Sequence, residues 1–326
     1  MASSAIPTTM AAAVLVEPER LELQTVPVPD LAGNDVLIRV RAAGICGTDL
    51  HVFRDRRPHR VHPMIMGHEF AGEVVAFGPG VSNVQAGARV VAEGRAGTGF
   101  RRPGAYAEYV SVPGEMVHLL PPTVELLDAA LVDPLACAIR AVDRARLSPG
   151  ARVAVIGQGS SGLCMVQAAR ALMGCEVAAI DHHDERLALS QRFGATLTVN
   201  PRSADAAAAL AEWTGGKGVD CVLEATGRES GIALALRIVR REGTVVAYGV
   251  FGQPVPVDLD RIMGAEITVV GSCASVGCWP RAIELLASGA ADLRSIISRV
   301  MPLRSLPEAF ALLEQHREVV KVVITP

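Results

Sequence analysis

The stretch GICGTDLHVF, residues 44–53, gathers a thiol, a hydroxyl, a carboxylate and an imidazole as Cys46, Thr48, Asp49 and His51. A thiolate is a zinc ligand, and a hydroxyl near an imidazole can pass on a proton. Twenty-two positions after Cys46, MIMGHEFAGEVV carries His68 and Glu69 at what reads as a strand start. Adjacent strand residues point to opposite faces, so both reach one metal only through a local distortion. Another carboxylate, Asp133, precedes Pro134 at a helix entrance. Each residue also has a plainer reading. Cys46 could be a small buried hydrophobe, and His68–Glu69 a polar strand start. Asp49 or Asp133 could open a helix, Thr48 could be a turn hydroxyl, and His51 a solvated histidine.

A second set of residues points to a dinucleotide. VAVIGQGSSGL places Gly157, Gly159 and Gly162 as GxGxxG between a buried strand and a helix. The first glycine permits a tight turn, the second lets backbone approach a pyrophosphate, and the third lets helix and strand pack closely. Asp181 ends the next strand, 24 positions after Gly157, where a carboxylate grips a ribose hydroxyl and repels a 2′-phosphate. NAD is therefore favoured over NADP. His182 and His183 supply no permanently charged pair for that phosphate, although Arg186 on the following helix could partly serve.

These residues need elements to hold them. The 326 residues suffice for about two domains. Residues 11–130 hold short Val- and Ile-rich strands broken by Gly and Pro, which predicts an irregular, mostly β domain. From about residue 137, strands and helices alternate, which predicts a doubly wound parallel sheet and an α/β class overall. The predicted division is 1–136 with 274–326, and 137–273. A net charge of −3 gives no reason to expect nucleic acid or an anionic membrane as partner. The apolar runs are too short to span a bilayer. The opening residues lack the basic segment of a secretory signal, and seven scattered cysteines without a CxxC pair suit a reducing cytoplasm.

In order along the chain, GICGTDLH, GHEFAGEVVAFGPGV with GARVV, and GQGSSGL…ID resemble the zinc-containing medium-chain alcohol dehydrogenase family, especially its polyol, threonine and aminocyclitol dehydrogenase branch. The resemblance implies a GroES-like catalytic domain beside a Rossmann domain, and homodimers or homotetramers paired through an edge strand such as EITVVGSC. It implies that Cys46 and His68 bind a catalytic zinc, with Asp133 as third ligand and Glu69 as a direct or exchanging one. Charge counting prefers Cys46, His68 and Asp133, which sum to zero with Zn²⁺, whereas adding Glu69 gives −1. Thr48 would take the alcohol proton and His51 deliver it to solvent, while Asp49 orients His68. Thr226 and Gly249 would line the nicotinamide or adenine. No cysteine lies between Cys46 and Cys137, so the family's structural-zinc lobe is missing and one zinc per chain is expected. GTGFRRPG, residues 97–104, takes its place and could reach the substrate cleft.

The implied reaction is hydride transfer from a secondary alcohol to NAD, giving a ketone. The alternative on the same fold is an NAD(P)H-dependent reductase of activated C=C bonds or quinones, and many such reductases lack metal ligands. Seven Phe, three Tyr and two Trp leave little material for a wide aromatic pocket, which favours a small polar alcohol: a polyol, cyclitol, aminocyclitol or hydroxy amino acid. The loop at 51–62, with four Arg and three His against one Asp, could attract an anionic or richly hydroxylated substrate.

Overall fold

The computed structural model describes residues 6–55, 62–316 and 318–326. The chain forms two compact units, Met1–Asp133 with Ile297–Pro326, and Pro134–Ile296. Residues 274–296, which the sequence reading put in the first part, belong to the second. Their side chains explain why. Helix Trp279–Ala287 buries Trp279, whose indole N–H donates to Ser275 Oγ at 2.8 Å. Arg281 pairs with Asp143 at 2.5 Å, and the Asp292 N–H donates to Gln167 Oε1 at 2.6 Å.

The first unit begins with β1 (Thr9–Glu17), β2 (Arg20–Pro27), β3 (Asp35–Gly44), β4 (Met64–Ile65), β5 (Glu69–Phe77), β6 (Arg89–Ala92), β7 (Tyr109–Pro113) and β8 (Val117–Leu119). The second unit contributes β9 (Arg152–Ile156), β10 (Glu176–Ile180), β11 (Leu197–Val199), β12 (Val219–Glu224), β13 (Val239–Ala247) and β14 (Thr268–Gly271). The chain then returns to the first unit with β15 (Ile297–Pro302) and β16 (Lys321–Thr325).

In the first unit a three-stranded sheet runs β2-β1-β4. A seven-stranded sheet runs β15-β16-β3-β5-β6-β8, with β7 also paired to β3. β3, DVLIRVRAAG, is buried along most of its length because strands flank it and core lies against it. That core includes Val36, Ile38, Phe70, Val110, Phe310 and Val322. Antiparallel pairing of β16 with β3 at Val323–Gly44 and Ile324–Ala43 sets the end of the chain beside residues 44–46.

The second unit is a parallel sheet of order β11-β10-β9-β12-β13-β14. Its inner strands β9, β10 and β12 are short and largely apolar and buried, as parallel strands covered on both faces must be. β9 lies between β10 and β12, so the winding reverses there, and the loops after β9 and β12 open at the crevice where such sheets take ligands. Among the described residues, no helix is long and apolar enough to cross a membrane.

Candidate active site

Cys46 is the N-cap of helix Gly47–Phe53, and Asp49, three residues on, accepts the Cys46 N–H at 2.9 Å. Asp49 is fully buried and takes a second hydrogen bond from Tyr106 Oη at 2.7 Å. Its other oxygen lies 3.5 Å from His68 Nδ1, and neither of those two atoms has a hydrogen-bond partner. Burial pushes the Asp49 carboxyl up, but His68, Tyr106 and the Cys46 N–H outweigh it and hold it below its ordinary value. Burial pushes the His68 ring down, while Asp49 and Cys46 pull it well above the ordinary histidine value.

The distortion needed for His68 and Glu69 to share a target is present. β5 starts at Glu69, so His68 lies outside the strand, after Gly67 at φ +94°. A Cβ at Gly67 would sit 2.8 Å from the Tyr106 ring, so only glycine fits. The donor atoms of Cys46, His68 and Glu69 all lie within 4.8 Å of one another, the one such group of three among the described residues. Ligands of a tetrahedral zinc with bonds of ~2.0–2.3 Å stand roughly 3.3–3.8 Å apart, so a modest contraction closes the trio on an ion. A thiolate, an imidazole and a carboxylate form a zinc-type donor set. The orphaned His68 Nδ1 facing Asp49 is what a metal-bound histidine uses for its second hydrogen bond.

Asp133 stands beside this trio rather than within it. Burial first, and then the charges of Glu69 and Glu93, raise its carboxyl to about 6, against the pull of His68 and Lys321. Sequence reasoning missed Lys321. It is fully buried on β16, 2.6 Å from Glu69 Oε2, and donates to the Ile45 carbonyl at 2.9 Å. Its charge changes the count that set Glu69 aside. With Cys46, Glu69, Asp133, Lys321 and Zn²⁺ all included, the site sums to zero. The signal available was a lone lysine in the apolar strand KVVIT, a residue type almost never buried unless paired.

Thr48 and His51 lie half-buried on the same helix as Asp49. Loop 97–104 does approach the trio: the Phe100 ring stacks against His68 with centroids 4.7 Å apart. Within the Arg- and His-rich stretch at 51–62, residues 56–61 lie outside the described residues; Arg54 is paired with Glu314 at 2.6 Å.

In the second unit the three glycines meet the demands of a dinucleotide turn. Gly157 has φ +92°. A Cβ at Gly162 would lie 1.8 Å from the Gly157 carbonyl oxygen, whereas Gly159, the N-cap of helix Ser160–Met173, faces open space. Asp181 is buried at the end of β10, and Arg186 lies half-buried in the first turn of helix Asp184–Arg192. Thr226 and Gly249 are engaged in packing. The Thr226 N–H and hydroxyl both donate to Glu224, and a Cβ at Gly249 would lie 2.0 Å from the Gly227 nitrogen. Glu224, fully buried and also missed from sequence, accepts the Gly227 N–H at 3.1 Å and so fixes the loop after β12.

Residues 32–122 match the alcohol dehydrogenase GroES-like domain, and residues 162–288 match the zinc-binding dehydrogenase family. The chain is 34% identical to the erythritol/L-threitol dehydrogenase of Mycolicibacterium smegmatis, covering 99% of each protein. The chain belongs to the zinc-binding medium-chain dehydrogenase family. This dehydrogenase is also 31% identical to the sorbitol dehydrogenase of Bacillus subtilis over 98% of each protein. A zinc-binding dehydrogenase from Sinorhizobium meliloti, solved with NADP bound, superposes with a TM-score of 0.91 at 31% identity, over 98% of this chain and 100% of that one. The activity class is that of a zinc-dependent alcohol dehydrogenase using a nicotinamide cofactor.

Two outcomes follow from the geometry of the first unit. Lys321→Met strands the Glu69 carboxylate in a dry pocket and should cost about 3–5 kcal/mol; adding Glu69→Gln should restore most of that in denaturant unfolding of the metal-free protein. Asp133 binds its proton more tightly folded than unfolded. Its contribution to stability is therefore present below the unfolded value of 3.8 and is lost as pH rises to about 6. Urea midpoints of metal-free wild type and Asp133→Asn, compared at pH 4.5 and 6.5, should show wild type losing on the order of 2 kcal/mol relative to the variant.

Proposed function

We propose that this dehydrogenase oxidises a secondary hydroxyl of a small polar substrate to a ketone, with NAD as hydride acceptor. The substrate class is polyols, with cyclitols, aminocyclitols and hydroxy amino acids as the neighbouring chemistries. The observation that carries the reading is the convergence of Cys46, His68 and Glu69, with Asp49 set against the remaining nitrogen of His68. A reductase of C=C bonds has no use for that donor set. Relatives named for erythritol, L-threitol and sorbitol support a polyol substrate.

Zinc bound by Cys46, His68 and Glu69 or Asp133 would supply a Lewis acid for the hydroxyl oxygen, and the nicotinamide would take the hydride. The chain's own residues do the rest. Asp49, 3.5 Å from Nδ1 of His68, is placed to accept its proton once that ring is drawn onto the metal, which leaves Nε2 for the ion. Lys321, 2.6 Å from Glu69 Oε2, keeps that carboxylate aimed. Thr48 takes the substrate proton, and His51 releases it to solvent near neutral pH. Asp181 receives the adenosine ribose and disfavours a 2′-phosphate.

The purified protein should contain about one zinc per chain by elemental analysis and should reduce NAD on a polyol panel. Metal-free protein that reduces enones or quinones instead would reject the assignment. His51→Gln should lower kcat at least about tenfold near pH 7 without changing zinc content. We further propose a dimer or tetramer built on the edge strand β14. Val269 on that strand is 44% exposed, and Leu259 and Met263 on the preceding helix are 70% and 71% exposed. Light scattering should give a multiple of 34.2 kDa; a monomer only would refute it.

A further inference from the structure

The Asp181 carboxylate is already heavily engaged. Its Oδ1 accepts from the His183 N–H at 3.0 Å and lies 2.8 Å from the His183 ring Nδ1, and its Oδ2 accepts from the Gln158 N–H at 2.7 Å. Gln158 is itself fully buried under the glycine turn. Its amide donates to the Val155 carbonyl at 2.8 Å and accepts from Ser190 Oγ at 2.9 Å. The acceptor is therefore fixed to the turn after β9 on one side and to His183 on the other. An ionised carboxylate offers about four lone-pair sites. Three are taken here, which leaves one, on Oδ2, for a ribose that presents two adjacent hydroxyls.

His183 is placed to take the other. It is the N-cap residue of helix Asp184–Arg192, yet its ring makes no capping bond and turns back to Asp181 instead. A carboxylate can only accept, so Nδ1 carries the proton, and whenever the ring is uncharged Nε2 bears a lone pair. The ring keeps 22% of its surface exposed at the mouth of the loop. A nitrogen lone pair accepts from a hydroxyl but offers nothing to a phosphate oxygen.

We infer that His183 is a positioning and discriminating residue for the coenzyme: it holds Asp181 in its accepting orientation and shares the ribose hydroxyls with it, so that both reject a 2′-phosphate. This rests on the dinucleotide reading of the second unit. It adds to the GxGxxG-and-aspartate rule a side-chain partner that completes the hold of the two backbone N–H groups on the aspartate.

The test is direct binding to the zinc-loaded protein at pH 8, by calorimetry with NAD and NADP, for wild type, His183→Ala, His183→Asn and Asp181→Ala. Wild type should favour NAD at least tenfold. His183→Ala should weaken NAD about five- to tenfold and cut the NAD-to-NADP ratio at least fivefold. His183→Asn restores a donor near Asp181 and should recover at least half of the lost ratio on a logarithmic scale. An unchanged ratio in His183→Ala, with Asp181→Ala still collapsing it, overturns the role of His183 while leaving the dinucleotide site intact. Wild type that binds neither nucleotide overturns the dinucleotide reading itself, and this proposal with it.

Discussion

The buried pair of Glu69 and Lys321 is the constraint on which the metal pocket depends. Taking an ammonium and a carboxylate out of water costs several kcal/mol each, which is recovered only with close geometry and further hydrogen bonds. Here the contact is 2.6 Å, and the Ile45 carbonyl takes another Lys321 proton. The two residues are 252 positions apart, so the pocket exists only once β16 has paired with β3. Gly44 on that pairing is part of the fit. A Cβ there would lie 2.6 Å from Glu69 Oε2, so the absence of a side chain makes the room that the carboxylate fills. The last strand of the chain thus finishes a site whose first residue is Cys46.

Buried carboxylates fix loops in both units, with different degrees of saturation. Glu224 accepts from the backbone N–H groups of Thr226 and Gly227 and from the Thr226 hydroxyl, which accounts for both oxygens and makes it a structural clamp. Asp49 gives one oxygen to the Cys46 N–H and Tyr106 and keeps the other without a hydrogen bond, 3.5 Å from an equally unpartnered His68 Nδ1. Burial and Asp49 hold the Tyr106 hydroxyl well above its ordinary value, so it stays a donor to that carboxylate. The carboxylate bonded through both oxygens supports backbone, whereas the one with an unpartnered oxygen has capacity reserved for a histidine whose other nitrogen binds something.

The glycine turn, Asp181 and the parallel sheet were legible in sequence because local spacing encodes them: a turn, a helix start and the end of the next strand lie within 25 residues. Cys46, His68 and Glu69 were legible as chemistry but not as geometry. Strand alternation argues against His68 and Glu69 converging; the chain enters β5 through Gly67 at φ +94°, where the Tyr106 ring leaves no room for a Cβ, and His68 falls outside the alternation. Lys321 and Glu224 escaped because a single charged residue in an apolar strand reveals nothing of its partner until the sheet order is known. The extent of the second unit through residue 296 was hidden for the same reason. It depends on the Gln167 and Asp143 side chains reaching Asp292 and Arg281 across long stretches of chain.

The short loop at 97–104 bears on how strongly the pocket calls for a cation. Phe100 covers one face of His68, and a Cβ at Gly94 would lie 3.0 Å from the His68 Cβ, so hydrocarbon and backbone close in where water would otherwise screen the charges. Exclusion of water strengthens every Coulombic term inside. Glu69, Glu93 and Asp133 then repel one another, although Arg95 and His118 pair with Glu93 at 2.9 and 3.0 Å, and Asp133, with the charges of His68 and Lys321 pulling the other way, responds by holding its proton up to about 6. Below about pH 6 a protonated Asp133, with the His68 proton held by Asp49 and Cys46, is how the chain reduces the charge of this pocket by itself. A divalent ion would do the same work with one centre instead of several protons, and the dryness that raises the carboxyl is what makes such an ion worth binding.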